Sequence, residues 1–271
     1  MGTRTHWSME RNLNHLKIVV IGSGNVATHL AQALSFSVNI VQIYSRNITN
    51  AIALAQKVKG CHAIDNFNDI DTNADIYLIS AKDDAIKSIV AQTACRCNSN
   101  ALWLHTSGSV PADVFAPHCQ HYGVLYPLQT FSKDVEVNVA EVPFFVEGNN
   151  ADTENDIFLI AKSLSATVKR ADSDCRRRIH AAAVFACNFT NHMWAIANDI
   201  LQQGNLEWEI LIPLLKETLA KTQELPPAEA QTGPARRGDT DTMNAHIAML
   251  DEHQQEIYRM LSDSIMKRYK Q

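Results

Sequence analysis

The hexapeptide Gly22-Ser23-Gly24-Asn25-Val26-Ala27 follows the apolar run Lys17 to Ile21 and precedes a segment with helical spacing of its apolar residues. A G-x-G-x-x-A turn between a strand and a helix suits the pyrophosphate of a dinucleotide. The first glycine permits the tight turn and the second lets backbone approach the ligand. Ala27 allows close packing of helix on strand while helix N–H groups face the phosphates. The chain has ten glycines, and two of them stand at this turn. Gly22, Ser23, Gly24, Asn25, Val26 and Ala27 are therefore the expected cofactor-binding residues, against the plainer reading of a tight strand-to-helix turn.

The end of the second apolar run discriminates between cofactors, because an NAD site usually places Asp or Glu there for the ribose 2′-hydroxyl. This chain has Tyr44-Ser45-Arg46-Asn47. Arg46 suits a 2′-phosphate and stacking on adenine, and Ser45 and Asn47 add neutral donors. From Arg11 to Ile64 there is no Asp or Glu, although Arg11, Lys17, Arg46, Lys57 and Lys59 fall in that stretch. NADP(H) is expected over NAD; otherwise Arg46 is a solvated loop arginine.

In an open α/β sheet the ligand lies beyond the carboxyl ends of the strands. Three further segments qualify. In Ser80-Ala81-Lys82-Asp83-Asp84, Ala81 and Lys82 are expected beside the cofactor and the aspartates as helix caps. In His105-Thr106-Ser107-Gly108-Ser109 an imidazole, hydroxyls and exposed backbone N–H groups are concentrated, with Thr106 on the cofactor and Ser107 on substrate. His105 is the expected acid/base residue, since imidazole titrates near neutrality; the rival reading has it bonded to backbone at a strand end. In Tyr126-Pro127-Leu128-Gln129, Tyr126 and Gln129 offer a phenol and an amide to substrate. Farther on, Asn188 and His192 stand one turn apart on an apolar helical segment. Asn188 is expected to orient substrate and His192 to contact it, or both are satisfied core groups. Arg236, in a glycine-bounded loop, suits an anion. No third ligand at diagnostic spacing accompanies the histidines, so no metal is expected.

The elements that must position these groups are legible in the patterning. Lys17 to Ile21, Asn39 to Tyr44, Asp75 to Ser80, Ala101 to Leu104, Gly123 to Tyr126, Pro143 to Val146 and Ala166 to Arg170 read as strands, several apolar on both faces. Helical spacing covers Val26 to Leu34, Thr49 to Lys57, Asp84 to Thr93 and Asp152 to Leu164. The fold class is α/β, a Rossmann-type, doubly wound, mainly parallel sheet. After Asp172 the texture turns helical over Arg176 to Gln202, Leu206 to Gln223 and Asp239 to Tyr269, with a break expected near Asp251. The expected organisation is a flexible leader over 1–15, a dinucleotide-binding domain over 16–172 and an all-helical domain for substrate and dimerisation over 173–271.

Composition sets the outer limits. The 271 residues are 46% hydrophobic and 20% charged, and 24 Lys+Arg against 29 Asp+Glu give a net charge of −5. That excludes disordered and fibrous classes and gives no basic surplus for nucleic acid. The longest apolar run, Ala181 to Cys187, is too short for a bilayer span. Six scattered cysteines with no Cys-x-x-Cys pair read as reduced thiols, so a soluble cytoplasmic protein is expected.

With these motifs placed, the sequence resembles a family of NADP oxidoreductases that join a Rossmann-like N-terminal domain to a C-terminal helical domain of unknown function. The resemblance covers nearly the whole chain after the leader. It is carried by Gly22 to Ala27, Tyr44-Ser45-Arg46, His105-Thr106-Ser107-Gly108, Tyr126 to Phe131, His180-Ala181-Ala182-Ala183-Val184-Phe185 with Asn188, and Gly233 to Asp239. The fold is similar to that of the 6-phosphogluconate dehydrogenase-like superfamily, including ketopantoate and pyrroline-5-carboxylate reductases. The resemblance implies hydride transfer and a homodimer formed through the helical domain. Several of those dehydrogenases use a lysine one turn before an asparagine on the first helix of the second domain; here Val184 stands in that place before Asn188. The expected function is NADPH-dependent reduction of a C=O or C=N bond of a small anionic metabolite in an interdomain cleft. A non-catalytic NADP(H)-responsive protein is the second reading, and an adenosylmethionine-dependent methyltransferase a weaker third.

Overall fold

The computed structural model describes residues 13–269. The expected leader therefore lies largely outside the described residues, and Leu13–His15 form one 3-10 turn. The chain divides into two compact units, Met1–Phe185 and Ala186–Gln271.

In the first unit the elements run β1 (Lys17–Ile21), α1 (Asn25–Leu34), β2 (Asn39–Tyr44), α2 (Ile48–Ala55), β3 (His62–Ile64), β4 (Ile76–Ile79), α3 (Asp83–Thr93), β5 (Leu102–His105), β6 (His121–Pro127), β7 (Phe144–Gly148), α4 (Ala151–Leu164), β8 (Val168–Arg170) and α5 (Ser173–Ala183). The eight strands form one sheet in the order β3-β2-β1-β4-β5-β6-β7-β8. All neighbours are parallel except β6 and β7. β1 lies between β2 and β4, so the winding reverses there and opens a crevice at the carboxyl ends of β1 and β4. The short edge strand β3 lacks a strong apolar signature, with His62 exposed and Ala63 and Ile64 half-buried. It was not among the expected strands.

Burial on both faces explains the apolar strands. On one face Ile18, Val20, Leu78 and Leu104 pack against Leu30 and Leu34 of α1, Leu54 of α2 and Ile157 and Ile160 of α4. On the other, Val19, Ile21, Tyr77, Ile79 and Trp103 pack under Ile86 and Val90 of α3 and against Phe115. Tyr77 and Trp103 stack with ring centroids 4.3 Å apart.

α5 begins with Asp172 accepting a hydrogen bond from the Cys175 N–H at 2.8 Å. Its residues belong to the sheet-bearing unit, whereas the expected boundary assigned everything from 173 to the helical domain. A π turn, Val184–Phe189, follows and interrupts the helix expected to run unbroken to Gln202. Then come α6 (Thr190–Gln203), α7 (Ile212–Glu224), α8 (Pro227–Ala230), α9 (Pro234–Arg237), α10 (Thr240–Ile247) and α11 (Glu252–Tyr269). Gly238, at φ +72°, ends α9, and Asp239 caps α10 by accepting from the Thr242 N–H at 3.1 Å. Asp251 accepts from the Gln254 N–H at 2.8 Å and starts α11, at the expected break. Among the described residues of this unit only Ala235, Met243 and Gln254 are buried, while Trp194, Leu214, Leu219, Met249 and Met260 are exposed. No helix among the described residues is long and apolar enough to cross a membrane.

Candidate functional site

Gly22 has φ +133°, and a Cβ there would lie 2.1 Å from the Ser80 carbonyl oxygen. The first glycine therefore serves the turn and also lets β1 pass against the end of β4. Gly24 differs: a Cβ on it would meet nothing within 4 Å. Gly24 is the N-cap of α1 and provides no side-chain cap, and the first turn holds no acidic residue. The start of α1 thus has neither a side-chain cap nor an acidic residue to meet the positive end of the helix dipole. Ala27, in the first turn of α1, is fully buried. Asn25 Nδ2 donates to the Phe131 carbonyl at 2.9 Å, tying the turn to the loop beyond β6.

At the end of β2, the Ser45 hydroxyl accepts from Ser23 Oγ at 2.8 Å, joining the two expected phosphate-side segments. Asn47 caps α2, its Oδ1 accepting from the Thr49 N–H at 3.0 Å. Arg46 is exposed and has no ion-pair partner among the described residues. Tyr44 stacks on Phe67 at 3.9 Å. Burial raises the Tyr44 phenol above its ordinary pKa, Arg46 opposes the rise and Asp65 adds to it, so one cation and one anion stand near the ring.

Ser80, Ala81 and Lys82 follow β4, with Lys82 as the N-cap of α3 and no side-chain cap bond. The expectation that an aspartate caps this helix is corrected: Asp83 and Asp84 are inside its first turn, where their negative charges complement the positive end of the dipole. Thr106 Oγ1 donates to Ser80 Oγ at 3.2 Å, bringing the ends of β4 and β5 together.

His105 is wholly buried at the end of β5. Its Nδ1 accepts from the Ser107 N–H at 3.1 Å, so the proton resides on Nε2. Burial first, and the Arg176 charge second, push its pKa down to about 3. A neutral, enclosed imidazole bonded to backbone suits the strand-end reading of His105 and not an acid at neutral pH. The expected exposed N–H groups are also consumed, because Ser107 Oγ accepts from the Ser109 and Val110 N–H groups, both at 3.0 Å.

The sequence reading missed the role of α5. Arg176, fully buried, pairs with Glu147 of β7 and donates to the Val110 carbonyl at 2.6 Å. The Ser173 hydroxyl donates to Glu147 Oε2 at 2.9 Å and accepts from the Ala112 N–H at 3.2 Å. One helical turn beyond Arg176, the His180 Nδ1 lies 3.0 Å from the Tyr126 hydroxyl oxygen. A Cβ on Gly108 would fall 2.7 Å from the His180 ring, so that glycine admits the imidazole. The available signal was the one-turn spacing of Arg176 and His180, which puts both on one helix face.

The structure thus places Gly22 to Ala27, Ser45, Ala81, Lys82, Thr106 and Tyr126 at the carboxyl ends of the neighbouring strands β1, β2, β4, β5 and β6. Gln129 is exposed, and its Oε1 accepts from the Thr130 N–H at 2.8 Å. Asn188 and His192 are exposed residues of the second unit, Asn188 inside the π turn and His192 in α6, so regular helical spacing does not join them. Arg236, also of that unit, lies over the Tyr269 ring at 4.2 Å. Among the described residues no three His, Cys, Asp or Glu side chains gather as a metal ligand set.

Comparison with known proteins adds to this geometry. Residues 6–114 match the family model described as Shikimate / quinate 5-dehydrogenase, and residues 142–265 match Domain of unknown function (DUF2520). A search of curated proteins gives no match. Among solved structures, one from Bacteroides fragilis assigned as an NADP oxidoreductase is 43% identical, with 93% of this chain and 98% of that one covered and a TM-score of 0.89. Protein TM1727 from Thermotoga maritima is 21% identical, with 93% and 98% covered and a TM-score of 0.66. A reductive aminase from Aspergillus terreus, solved with NADPH and ethyl-5-oxohexanoate, is 14% identical, with 94% and 93% covered and a TM-score of 0.70. The last two likenesses concern fold alone. The Bacteroides likeness extends over nearly the full length of both chains at an identity well above that of the fold-level neighbours, and by it this chain belongs to the family of NADP oxidoreductases that join a Rossmann-like domain to a helical domain of unknown function.

Proposed function

We propose that the protein is an NADP(H)-dependent oxidoreductase that reduces a C=O or C=N bond of a small anionic metabolite. The observation that carries this reading is the uncapped start of α1 at Gly24, open to an anion, with the unpaired Arg46 beyond β2 where an NAD site has a carboxylate. These residues fit the group: backbone of Gly22 to Ala27 for the pyrophosphate, Ser45 and Arg46 for a 2′-phosphate, and Ala81, Lys82 and Thr106 for the nicotinamide half. When bound, NADPH supplies the hydride. The chain's own residues orient the acceptor and provide the proton. Within the first unit, Ser107, Tyr126 and Gln129 are the residues proposed to meet substrate, and His105 stiffens the loop that carries Ser107.

The exposed apolar side chains of α6, α7 and α11 support a homodimer, since a second copy of the chain would cover surface that the helical unit leaves bare. The six cysteines are all unpaired, which supports work in the reducing cytoplasm.

The test is a parallel titration of the purified protein with NADPH and NADH, following nicotinamide fluorescence. Binding of NADPH at least tenfold tighter is expected. Equal affinities would remove the basis for the Arg46 assignment, and no binding of either would remove the reading as a whole.

A further inference from the structure

Tyr126 is a nearly enclosed phenol on the carboxyl side of β6, at 7% exposure, and the mechanism of nucleotide binding gives it no task. Its hydroxyl oxygen is 3.0 Å from Nδ1 of His180, whose ring meets the phenol edge-on with centroids 5.9 Å apart. Three features fix that meeting. Gly108, on the loop after β5, omits the side chain that would displace the imidazole. Ile179 packs beside Val124 and Tyr126. Arg176, one turn earlier on α5, is locked to Glu147 and Val110. His180 itself is only half-buried, so one side of the ring meets water.

We propose that Tyr126 is the proton donor of the reduction and that His180 is its positioning residue, donating its Nδ1–H to the phenol oxygen; this rests on the reductase reading above. With the oxygen lone pair engaged by His180, the phenolic hydrogen is directed away from the imidazole and toward substrate. As hydride reaches the carbon of a carbonyl or neutral imine, the π electron pair moves to oxygen or nitrogen. The Tyr126 O–H bond then breaks, and its proton forms the new O–H or N–H bond. The electron pair stays on the phenolate oxygen, which recovers a proton from water at the half-exposed imidazole. Two effects bear on the phenolate: burial disfavours it, and the Arg176 guanidinium favours it. Of the other titratable neighbours, Glu147 is committed to Arg176 and His105 remains neutral.

The proposal separates cleanly from its mirror image, in which the phenol donates to a bare Nδ1 and merely anchors α5. The full-length protein is labelled with nitrogen-15 histidine, and the His180 signals are assigned by their loss in His180→Phe. A protonated Nδ1 is expected in the wild type, with that preference lost in Tyr126→Phe and weakened in Gly108→Ala, which keeps both partners but crowds the ring. With pyruvate and the cyclic imine 1-pyrroline as probes, Tyr126→Phe is expected to lower NADPH oxidation by about 10²–10⁴-fold while binding NADPH as the wild type does. An unprotonated Nδ1 in the wild type, or full turnover by Tyr126→Phe, would overturn the pair. Failure of the wild type to bind NADPH would strike the functional reading instead, so the two failures are distinct.

Discussion

Gly22 and Ser80 approach so closely that a Cβ on the glycine would stand 2.1 Å from the serine carbonyl oxygen, and the glycine φ of +133° suits no other residue. Two glycines of one turn therefore have separable duties. Gly22→Ala is expected to destabilise the fold by about 1–3 kcal/mol through strain and backbone overlap, as measured by urea unfolding. Gly24→Ala, whose Cβ meets nothing, is expected to keep wild-type stability and weaken NADPH binding.

Arg46 has no partner among the described residues to hold it in place. Replacing it with alanine is expected to lower NADPH affinity by roughly tenfold to a hundredfold, the range of a charge-assisted contact, and to leave NADH nearly unchanged. The ratio of the two constants is the readout; an unaltered ratio sinks the assignment.

His105 gives the fold a pH dependence with a defined sign. Its ordinary pKa of 6.5 is pushed down to about 3 by burial and by Arg176. The unfolded chain takes up this proton below pH about 6.5 while the folded chain does not, so stability present above that pH falls as pH drops toward 3. The slope from this group reaches about 1.4 kcal/mol per pH unit. His105→Asn is expected to flatten the decline between those values in urea unfolding at a series of pH values.

Glu147 is the counter-charge of a guanidinium with no solvent exposure. Glu147→Gln is expected to cost about 3 kcal/mol, because it leaves the Arg176 cation buried and uncompensated. Chemical unfolding reads the loss, and the His180 nitrogen signals should broaden in the same variant as α5 loosens.

Leu214 and Leu219 of α7 are 60% and 66% exposed. If a second copy covers them, Leu219→Lys should convert a dimer into a monomer in light scattering coupled to size exclusion. A wild-type monomer at micromolar concentration would refute the dimer.

Much of this architecture was legible because two-faced burial writes continuous apolar runs. Lys17 to Ile21 and the glycine turn behind it could be placed from residue types alone, and a break near Asp251 was expected because the helical span from Asp239 to Tyr269 is long for one helix. β3 escaped because three edge residues, one exposed and two half-buried, carry no such run. At His105 the acid and strand-end readings could not be separated from residue types, because titration depends on enclosure, and a sequence shows an imidazole but not the walls around it. His180 was visible as a polar residue on an apolar helix, yet its partner is 54 residues away and the glycine that admits it sits on a third segment. The buried Arg176 was equally hidden, since an arginine in a helix ordinarily reads as surface.

Arg176 also bears on the order of assembly. Its bond to the Val110 carbonyl spans 66 residues of chain, and its pairing with Glu147 requires β7 to be in position. Contacts so distant in sequence return nothing until the intervening chain has been gathered in, which makes docking of the first turns of α5 a late event in folding. Because His180 arrives with that docking, partly assembled chains should already present the glycine turn while lacking the phenol–imidazole contact, and refolding experiments should recover nucleotide binding ahead of turnover.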